Sequence, residues 1–329
     1  MYVIYGSQAS LFTRKLEAAA IFYGLPVELK SKRAQQNIGE IESRAGTHQV
    51  PVLQAPENWL IADTTPLIAL LDGRYPEGRL FPDGLLGLLT HLVEDFFDEW
   101  VSRVMVHYRW HYPDSAAFVS QIIAEGDPNA AAAILKWGPR ACRATGTETV
   151  AQQKAAEAEY IRCLEAAEKQ LAETRYLMGD RPTAVDCIFL GGLRAHINFD
   201  PDPKKILTAF PKVVAWAEGG ADTWDGTGDL APFPHSTGFT QHVLAEMPTT
   251  YLPFMIANAR AQENGDKAFT ADIYGETVSY LSRSYPEQAR KMIVERLDNS
   301  LTAAERETAA AWLRDIGLSA FFDTANYSK

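Results

Sequence analysis

Two serines stand where the first helical pattern of the chain begins, a position at which a hydroxyl can meet a negatively charged group. Ser7 and Ser10 follow the short apolar run Val3–Tyr5, and the helical pattern starts directly after Ser10. The free backbone N–H groups and the dipole of a helix N-terminus favour an anion. From the residues alone, Ser10 is either a helix cap or a donor to an anionic ligand.

Two histidines on a later helical pattern offer a different chemistry. His107 and His111 are four residues apart on one helix face, with Tyr108 between them. That spacing can hold a metal ion, but the sequence places no third ligand, so no metal is predicted. Packing inside a helical domain and lining of a cleft are the two interpretations left open for these three residues.

The elements that position the serines form the core of a βαβ unit. Residues 2–29 predict a strand, a polar turn, a helix and a second strand. The run Val50–Leu53 predicts a further strand, but Pro51 cannot donate a hydrogen bond within a sheet. We therefore expect this strand at a sheet edge or beside a special turn, with a cis peptide bond as one option. Asp63 or Thr64 caps the helix that follows.

Beyond a Gly- and Pro-rich segment at residues 76–84, which predicts a linker, the pattern is mostly helical. A β-hairpin is predicted around Tyr274-Gly275. The predicted helices cover residues 85–112, 114–126, 148–173, an apolar stretch opening at Thr183, 210–218, 238–263, 285–298 and 302–316.

Composition excludes several classes of protein. The chain has 329 residues, 47% of them hydrophobic, which suits two domains with a packed core. A net charge of −11 without a basic stripe argues against nucleic acid or an anionic membrane surface as partner. No signal peptide and no apolar run of the ~20 residues that a membrane helix needs are visible. Three scattered cysteines, Cys142, Cys163 and Cys187, indicate a reducing compartment, so we expect a soluble cytoplasmic protein.

Four motifs in register resemble the glutathione transferase family, and in particular its serine-type bacterial members. They are Ser10–Lys15 followed by Gly24–Pro26, Val50–Leu53, Asp63-Thr64, and Thr183–Asp186, which has the form of a capping box. The resemblance covers about residues 1–220. It implies an α/β plus all-α architecture, namely a thioredoxin-like domain at 1–75, a linker at 76–84 and a helical domain at 85–220. Residues 221–329 are then a C-terminal extension.

The resemblance implies that glutathione is the bound co-substrate and that the protein activates its thiol. A free thiol with a pKa near ~8.5 is only a few per cent thiolate at neutral pH. A hydroxyl donor at a helix N-terminus would lower that pKa. Ser10 matches this role, with Ser7 in reserve. The implied glutathione-binding residues are Phe12, His48, Gln49, Val50, Pro51, Asp63 and Thr64.

Individual roles follow from the same resemblance. Asp63 and Thr64 would bind the ammonium and the carboxylate of the γ-glutamyl group, and the backbone of Val50 would pair with the cysteinyl part. Many relatives have a glycine and a basic residue where this chain has His48-Gln49. Gln49 can donate to the glycyl carboxylate but carries no charge.

The implied activity is transfer of glutathione to a small, hydrophobic electrophile in detoxification. Isomerisation, dehalogenation, ether cleavage and peroxide reduction are variants of the same chemistry, and His107, Tyr108 and His111 would line the acceptor pocket. The absence of cysteine from residues 1–141 argues against a thiol–disulfide reductase. A homodimer is implied by the resemblance alone. The alternative is a non-catalytic binding or scaffold protein on the same fold.

Overall fold

The N-terminal part is a four-stranded mixed sheet in the order β2-β1-β3-β4. The structure is a computed structural model, and it describes residues 1–323. β1 runs parallel to β2 and antiparallel to β3, which pairs antiparallel with β4. The elements of this part are β1 (Tyr2–Gly6), α1 (Leu11–Phe22), β2 (Val27–Ser31), α2 (Ile38–Ala45), β3 (Val52–Gln54), β4 (Leu60–Ala62) and α3 (Thr64–Arg74).

Of the two alternatives predicted for Pro51, the special turn is the one observed. The Val50–Pro51 peptide bond is cis, and Pro51 lies in the turn before β3, outside the hydrogen-bonded ladder. The strand is not at a sheet edge, because β3 lies between β1 and β4. An interior strand tolerates this proline since pairing begins only at Val52, so no ladder hydrogen bond is lost.

The helical part begins with one long helix whose middle turn is π-helical. The predicted helix at 85–112 is observed as α4 and α5, joined without a break by the π-helical segment Phe96–Val101. The capping box at Thr183 and Asp186 is also observed, because the Asp186 carboxylate accepts from the Thr183 backbone N–H at 2.7 Å. The helices of this part are α4 (Gly84–Asp95), α5 (Ser102–His111), α6 (Pro113–Ile123), α7 (Pro128–Leu135), α8 (Gly138–Ala144), α9 (Val150–Gln170), α10 (Ala184–Gly192) and α11 (Pro211–Ala217).

A close approach of two helices joins the N-terminal part to the helical part. Gly191 of α10 lies against the backbone of α1, and a Cβ at this position would come within 2.7 Å of the Leu11 carbonyl oxygen and 3.1 Å of the Lys15 nitrogen. Only glycine allows this distance between the helices. The helix that begins at Ser10 is thereby fixed against the helical part.

The extension packs on the helical part instead of standing apart from it. Its hydrophobic residues belong to the same core, and the ring of Phe239 stacks on Phe97 with centroids 5.8 Å apart. The predicted helix at 238–263 is interrupted around Pro248 by a short 3₁₀ turn. The predicted hairpin is present. The elements are α12 (Gly238–Glu246), α13 (Tyr251–Asn264), β5 (Ala268–Ile273), β6 (Glu276–Leu281), α14 (Ser284–Asn299) and α15 (Ala303–Asp315).

Among residues 1–323, no helix has the length and apolar character needed to cross a membrane.

Candidate functional site

The hydroxyls of Ser7 and Ser10, the two candidate catalytic residues, accept hydrogen bonds from the backbone in and after the turn between β1 and α1. The Ser10 Oγ accepts from the Thr13 backbone N–H at 3.3 Å, which makes Ser10 the cap of α1. The Ser7 Oγ accepts from the Ala9 N–H at 3.3 Å within the turn. Both serines act as acceptors in these bonds, so each hydroxyl keeps its proton for donation to another group. Capping and donation to a ligand are therefore compatible in Ser10.

A buried arginine from the helical part fixes this turn. Arg109 of α5 is 5% exposed, and its Nη1 donates to the Ala9 carbonyl at 2.5 Å. The same guanidinium binds Asp200 through two hydrogen bonds of 2.9 and 3.1 Å. It also donates to the Ala195 carbonyl at 2.5 Å. One side chain thus ties the serine-bearing turn to the helical part.

A cavity of about 470 Å³ lies beside α1 and includes most of the residues predicted to bind a ligand. Six of them line it: Phe12, Gln49, Val50, Pro51, Asp63 and Thr64. The remaining lining residues are Thr47, Ala62, Asp98, Glu99, Leu281, Ser282, Arg283, Ser284 and Tyr285. Three predicted residues, Ser7, Ser10 and His48, do not line the cavity itself. Ser10 lies two positions before Phe12, and His48 is exposed next to Gln49.

Asp63 is placed to meet a ligand because it does little for its own helix. It occupies the N-cap position of α3 with φ 68°, but its carboxylate makes no capping hydrogen bond. Burial and the nearby Asp98 raise its pKa, while Lys15 and the backbone N–H of Thr65 act in the opposite direction. Thr64, the first residue of α3, is buried beside it. A half-buried carboxylate without a well-formed capping hydrogen bond is a suitable partner for a cation at the cavity wall.

Beneath the cavity lies a buried ionic network that the sequence did not predict. The Lys15 Nζ is 2.5 Å from Glu94, 2.9 Å from Asp98 and 2.7 Å from the Thr65 hydroxyl. Burial alone would lower the pKa of Lys15, but Asp98 and Glu94 outweigh it and the net pKa is raised. Lys15 is therefore a fixed cation that joins α1 to α3 and α4.

The π-helical turn brings two acidic residues to the cavity. Asp98 and Glu99 both line it and both belong to Phe96–Val101. Burial is the main cause that raises the pKa of Glu99 to about 7, and the nearby Arg283 opposes it. A π-helical turn inside an α-helix changes the direction of the side chains around it, and such turns often occur at functional sites. No local sequence signal distinguishes these two acids from the others on the same helix.

The aromatic and histidine residues of α5 are not part of this cavity. His107 is buried, and its Nε2 lies 2.7 Å from the Glu157 carboxylate. Tyr108 is also buried, whereas His111 is exposed and stacks on His107 with ring centroids 4.9 Å apart. Their assignment to an acceptor pocket stays a prediction, and the cavity beside α1 gives it no support. No group of three or more potential metal ligands occurs in residues 1–323.

The architecture is a thioredoxin-like domain followed by a helical domain, here with additional C-terminal helices. The N-terminal domain of glutathione S-transferases matches residues 4–79, and the C-terminal domain of glutathione S-transferases matches residues 127–219. The chain belongs to the glutathione transferase family, so the membership in this family that the four motifs indicated is confirmed, while the serine-type subclass stays a prediction. A comparison with curated protein sequences gives no significant match.

Several solved structures are similar to this chain at low sequence identity. One from Rhodospirillum rubrum F11 is 16% identical, with a TM-score of 0.45 over 74% of this chain and 99% of its own. One from Methylobacillus flagellatus KT, solved with glutathione bound, is 15% identical, with a TM-score of 0.44 over 69% of this chain and 96% of its own. The β-etherase of Sphingobium sp. strain SYK-6 is 14% identical, with a TM-score of 0.47 over 68% and 96%. The assignment to the family depends on the domain matches.

Proposed function

We propose that this protein binds glutathione in the cavity beside α1 and activates its thiol for attack on a small, hydrophobic electrophile. The observation that supports the proposal best is the convergence of Phe12, Gln49, Val50, Pro51, Asp63 and Thr64 on one cavity. These residues come from α1, the turn before β3 and the start of α3, which are distant in sequence.

The thiol is activated at the N-terminus of α1. Ser10 caps this helix and keeps its hydroxyl proton, so it can donate to a sulfur placed at the helix end. Donation stabilises the thiolate more than the thiol, and the helix dipole acts in the same sense. A pKa lowered by ~2 units changes a thiol that is a few per cent ionised at neutral pH into one that is mostly thiolate.

The chemical step needs no covalent bond to the protein. The proton leaves the thiol for solvent when glutathione binds. The sulfur lone pair then forms a bond to the electrophilic carbon, and either a leaving group departs with its electron pair or the adduct takes up a proton. The protein contributes pKa lowering and proximity. Isomerisation, ether cleavage, dehalogenation and peroxide reduction begin from the same thiolate.

The remaining peptide contacts follow from the lining residues. Asp63 binds the γ-glutamyl ammonium, Thr64 and the N-terminus of α3 bind its carboxylate, and the Val50 backbone pairs with the cysteinyl group. Gln49, with His48 beside it, binds the glycyl carboxylate. We also propose that the protein is a serine-type member and a homodimer with a detoxifying role in the cytoplasm. The mass of the purified protein by light scattering tests the dimer.

The decisive experiment measures the thiol pKa of bound glutathione by ultraviolet thiolate absorbance in the parent, Ser10→Ala and Ser7→Ala proteins. We expect Ser10→Ala to raise that pKa by about 1 unit, which is the loss of one charge-assisted hydrogen bond. Turnover of a generic electrophile at neutral pH should fall about threefold, because a pKa raised from about 6.5 to about 7.5 lowers the thiolate fraction from about three-quarters to about one-quarter, and the Kd for glutathione should rise by no more than about the same factor. Ser7→Ala tests the reserve candidate, since it keeps the hydroxyl of Ser10, and it should leave the thiol pKa unchanged if Ser10 is the donor.

Two outcomes would count against the proposal. If the parent does not bind glutathione, the proposed function is wrong. If Ser10→Ala and the parent share one thiol pKa and one pH–rate profile, Ser10 has no part in activation. A second function, binding of a ligand without catalysis, is favoured by the contribution of the extension residues 281–285 to the cavity. It predicts tight glutathione binding with an unshifted thiol pKa in the parent.

A further inference from the structure

The extension supplies one wall of the cavity through the segment Leu281–Tyr285, which links the end of β6 to the start of α14. Asn258 of α13, which is 1% exposed, holds the middle of this segment. Its Nδ2 donates to the Arg283 carbonyl at 3.0 Å, and its Oδ1 accepts from the Arg283 N–H at 3.0 Å. Two hydrogen bonds from one buried amide fix the backbone that carries the guanidinium.

The Arg283 side chain faces the acids of the π-helical segment and keeps most of its donors free. Its Nη2 lies 3.3 Å from the Glu99 Oε2 and donates to the Glu99 carbonyl at 3.4 Å. A guanidinium has five N–H donors in a planar fork. Within residues 1–323, Nε and Nη1 make no hydrogen bond, and 35% of the side chain is exposed. The free side of the fork suits a carboxylate.

Glu99 complements Arg283, because one of its carboxylate oxygens accepts no hydrogen bond among the described residues. Its side chain is 6% exposed, and its buried Oε2 has no hydrogen-bond partner among the described residues, although Arg283 is within ion-pair distance. An unsatisfied buried carboxylate oxygen at a cavity wall is costly unless a donor occupies the cavity. Asp63 lines the same cavity, whereas Asp98 is paired with Lys15, so Asp63 and Glu99 are the two acids that can meet a cation there. A guanidinium and an unsatisfied carboxylate side by side match the two charges of an α-amino acid.

We infer that Arg283 and Glu99 bind the free α-amino acid end of the γ-glutamyl group, Arg283 sharing its carboxylate with Thr64 and the N-terminus of α3, and Glu99 sharing its ammonium with Asp63. The inference rests on the proposed function, because it takes glutathione as the ligand. The extension is then part of the glutathione site, and the segment Leu281–Tyr285 determines selectivity for a γ-glutamyl peptide.

The test combines three ligands with four variants and measures Kd by calorimetry. The ligands are glutathione, 4-aminobutanoyl-Cys-Gly, which lacks the α-carboxylate, and glutaryl-Cys-Gly, which lacks the α-ammonium. The variants are Arg283→Ala, Arg283→Lys, Glu99→Gln and Arg260→Ala. Arg260 is an exposed arginine of α13 and serves as the matched control. Circular dichroism confirms that each variant is folded.

We expect Arg283→Ala to weaken glutathione binding about 10- to 100-fold, the range of a charge-assisted pair, and to leave binding of 4-aminobutanoyl-Cys-Gly unchanged. Glu99→Gln should weaken glutathione but not glutaryl-Cys-Gly. Arg260→Ala should change nothing. Arg283→Lys should recover only part of the affinity, because an ammonium cannot bind a carboxylate in bidentate fashion.

The binding results distinguish an error in this inference from an error in the proposed function. If the parent binds glutathione and Arg283→Ala binds it equally well, the role of Arg283 is refuted while the site stands. That role is also refuted if Arg283→Ala weakens glutathione and 4-aminobutanoyl-Cys-Gly by the same factor, since the loss is then not tied to the α-carboxylate. If the parent binds none of the three peptides, the proposed function and the inference are both wrong.

Discussion

The Nη1 of Arg109 donates a 2.5 Å hydrogen bond to the carbonyl oxygen of Ala9, although the two residues are a hundred positions apart in the chain. Ala9 precedes Ser10 directly, so this bond fixes the backbone that carries the candidate catalytic hydroxyl. Asp200 neutralises the buried guanidinium and fixes its plane. The position of Ser10 therefore depends on a residue of the helical part as well as on its own turn.

Arg109→Lys should impair the thiol chemistry more than glutathione binding. A lysine keeps the charge beside Asp200 but cannot reach Ala9, Asp200 and Ala195 at once. We expect the turn to loosen, the thiol pKa of bound glutathione to rise, and kcat/KM to fall about tenfold with a smaller change in Kd.

Arg162→Lys is the matched control for Arg109→Lys. Arg162 also binds a carboxylate, that of Glu246, through two bonds of 2.8 Å, but it lies outside the cavity lining. Both variants lose a bidentate pair, so a purely structural effect would lower the melting temperature in each without raising the thiol pKa. An unchanged thiol pKa in Arg109→Lys would show that the bond to Ala9 does not position Ser10.

Local sequence signals predicted the helix starts that carry the site residues Ser10, Asp63 and Thr64. Serine directly before a helical pattern identified the cap of α1, and Asp63-Thr64 identified the start of α3. Thr183 and Asp186 formed the predicted capping box. For Ser10, and for Thr183 with Asp186, the hydrogen bond joins a side chain to backbone three residues away, so the spacing of a few residues contains the necessary information.

The other charged residues at the site reach it through packing between distant segments, which the local sequence pattern does not encode. Asp98 and Glu99 reach the cavity through a π-helical turn within a helix that the periodicity predicted as regular. Lys15 appears as one more polar residue on α1, yet it is fully buried among acids of α4 and the π-helical segment. Arg283 lies in an extension without a recognisable motif. The contacts of all four span long sequence separations, and no local pattern marks them.

Two adjacent glycines of α10 should respond differently to substitution by alanine, because only Gly191 lies against the backbone of α1. Gly191→Ala would place a Cβ 2.7 Å from the Leu11 carbonyl oxygen, so the helices must separate. We expect a loss of about 1–3 kcal/mol of unfolding free energy, the usual cost of overpacking a core. Gly192→Ala is the control, because the nearest atom to its Cβ would be the Met105 sulfur, at an ordinary 3.5 Å.

Denaturant unfolding of the two variants measures the difference. Gly192→Ala should be close to neutral or stabilising by about 0.5–1 kcal/mol, since alanine is the better helix former. Gly191→Ala should also lower turnover, because α1 carries Ser10 at its start. Equal stability of both variants would show that the α1–α10 approach is not tight.

Buried carboxyl groups should contribute more to stability in mild acid than at neutral pH, whereas the buried histidines His91 and His196, whose pKa is lowered by burial, contribute in the opposite sense. Burial raises the pKa of Glu94 from 4.5 to about 7, against the opposing effect of Lys15. Below about pH 4.5 this group is protonated in both the folded and the unfolded chain. Between about pH 4.5 and 7 the unfolded chain ionises first, so unfolding free energy falls as pH rises, and the loss is complete above about pH 7. Glu99, with its pKa raised to about 7, adds to the same trend.

Glu94→Gln tests this dependence, since the amide keeps the shape of the side chain and removes its titration. Lys15 still pairs with Asp98 in the variant. Denaturant unfolding between pH 4.5 and 7 should show a smaller loss of stability than in the parent, by at most about 3 kcal/mol. Glu173→Gln, at an exposed position of the same residue type, is the control and should keep the slope of the parent. If Glu94→Gln also kept that slope, Glu94 would be ionised in the folded protein across the whole range, and Lys15 would then outweigh the cost of its burial.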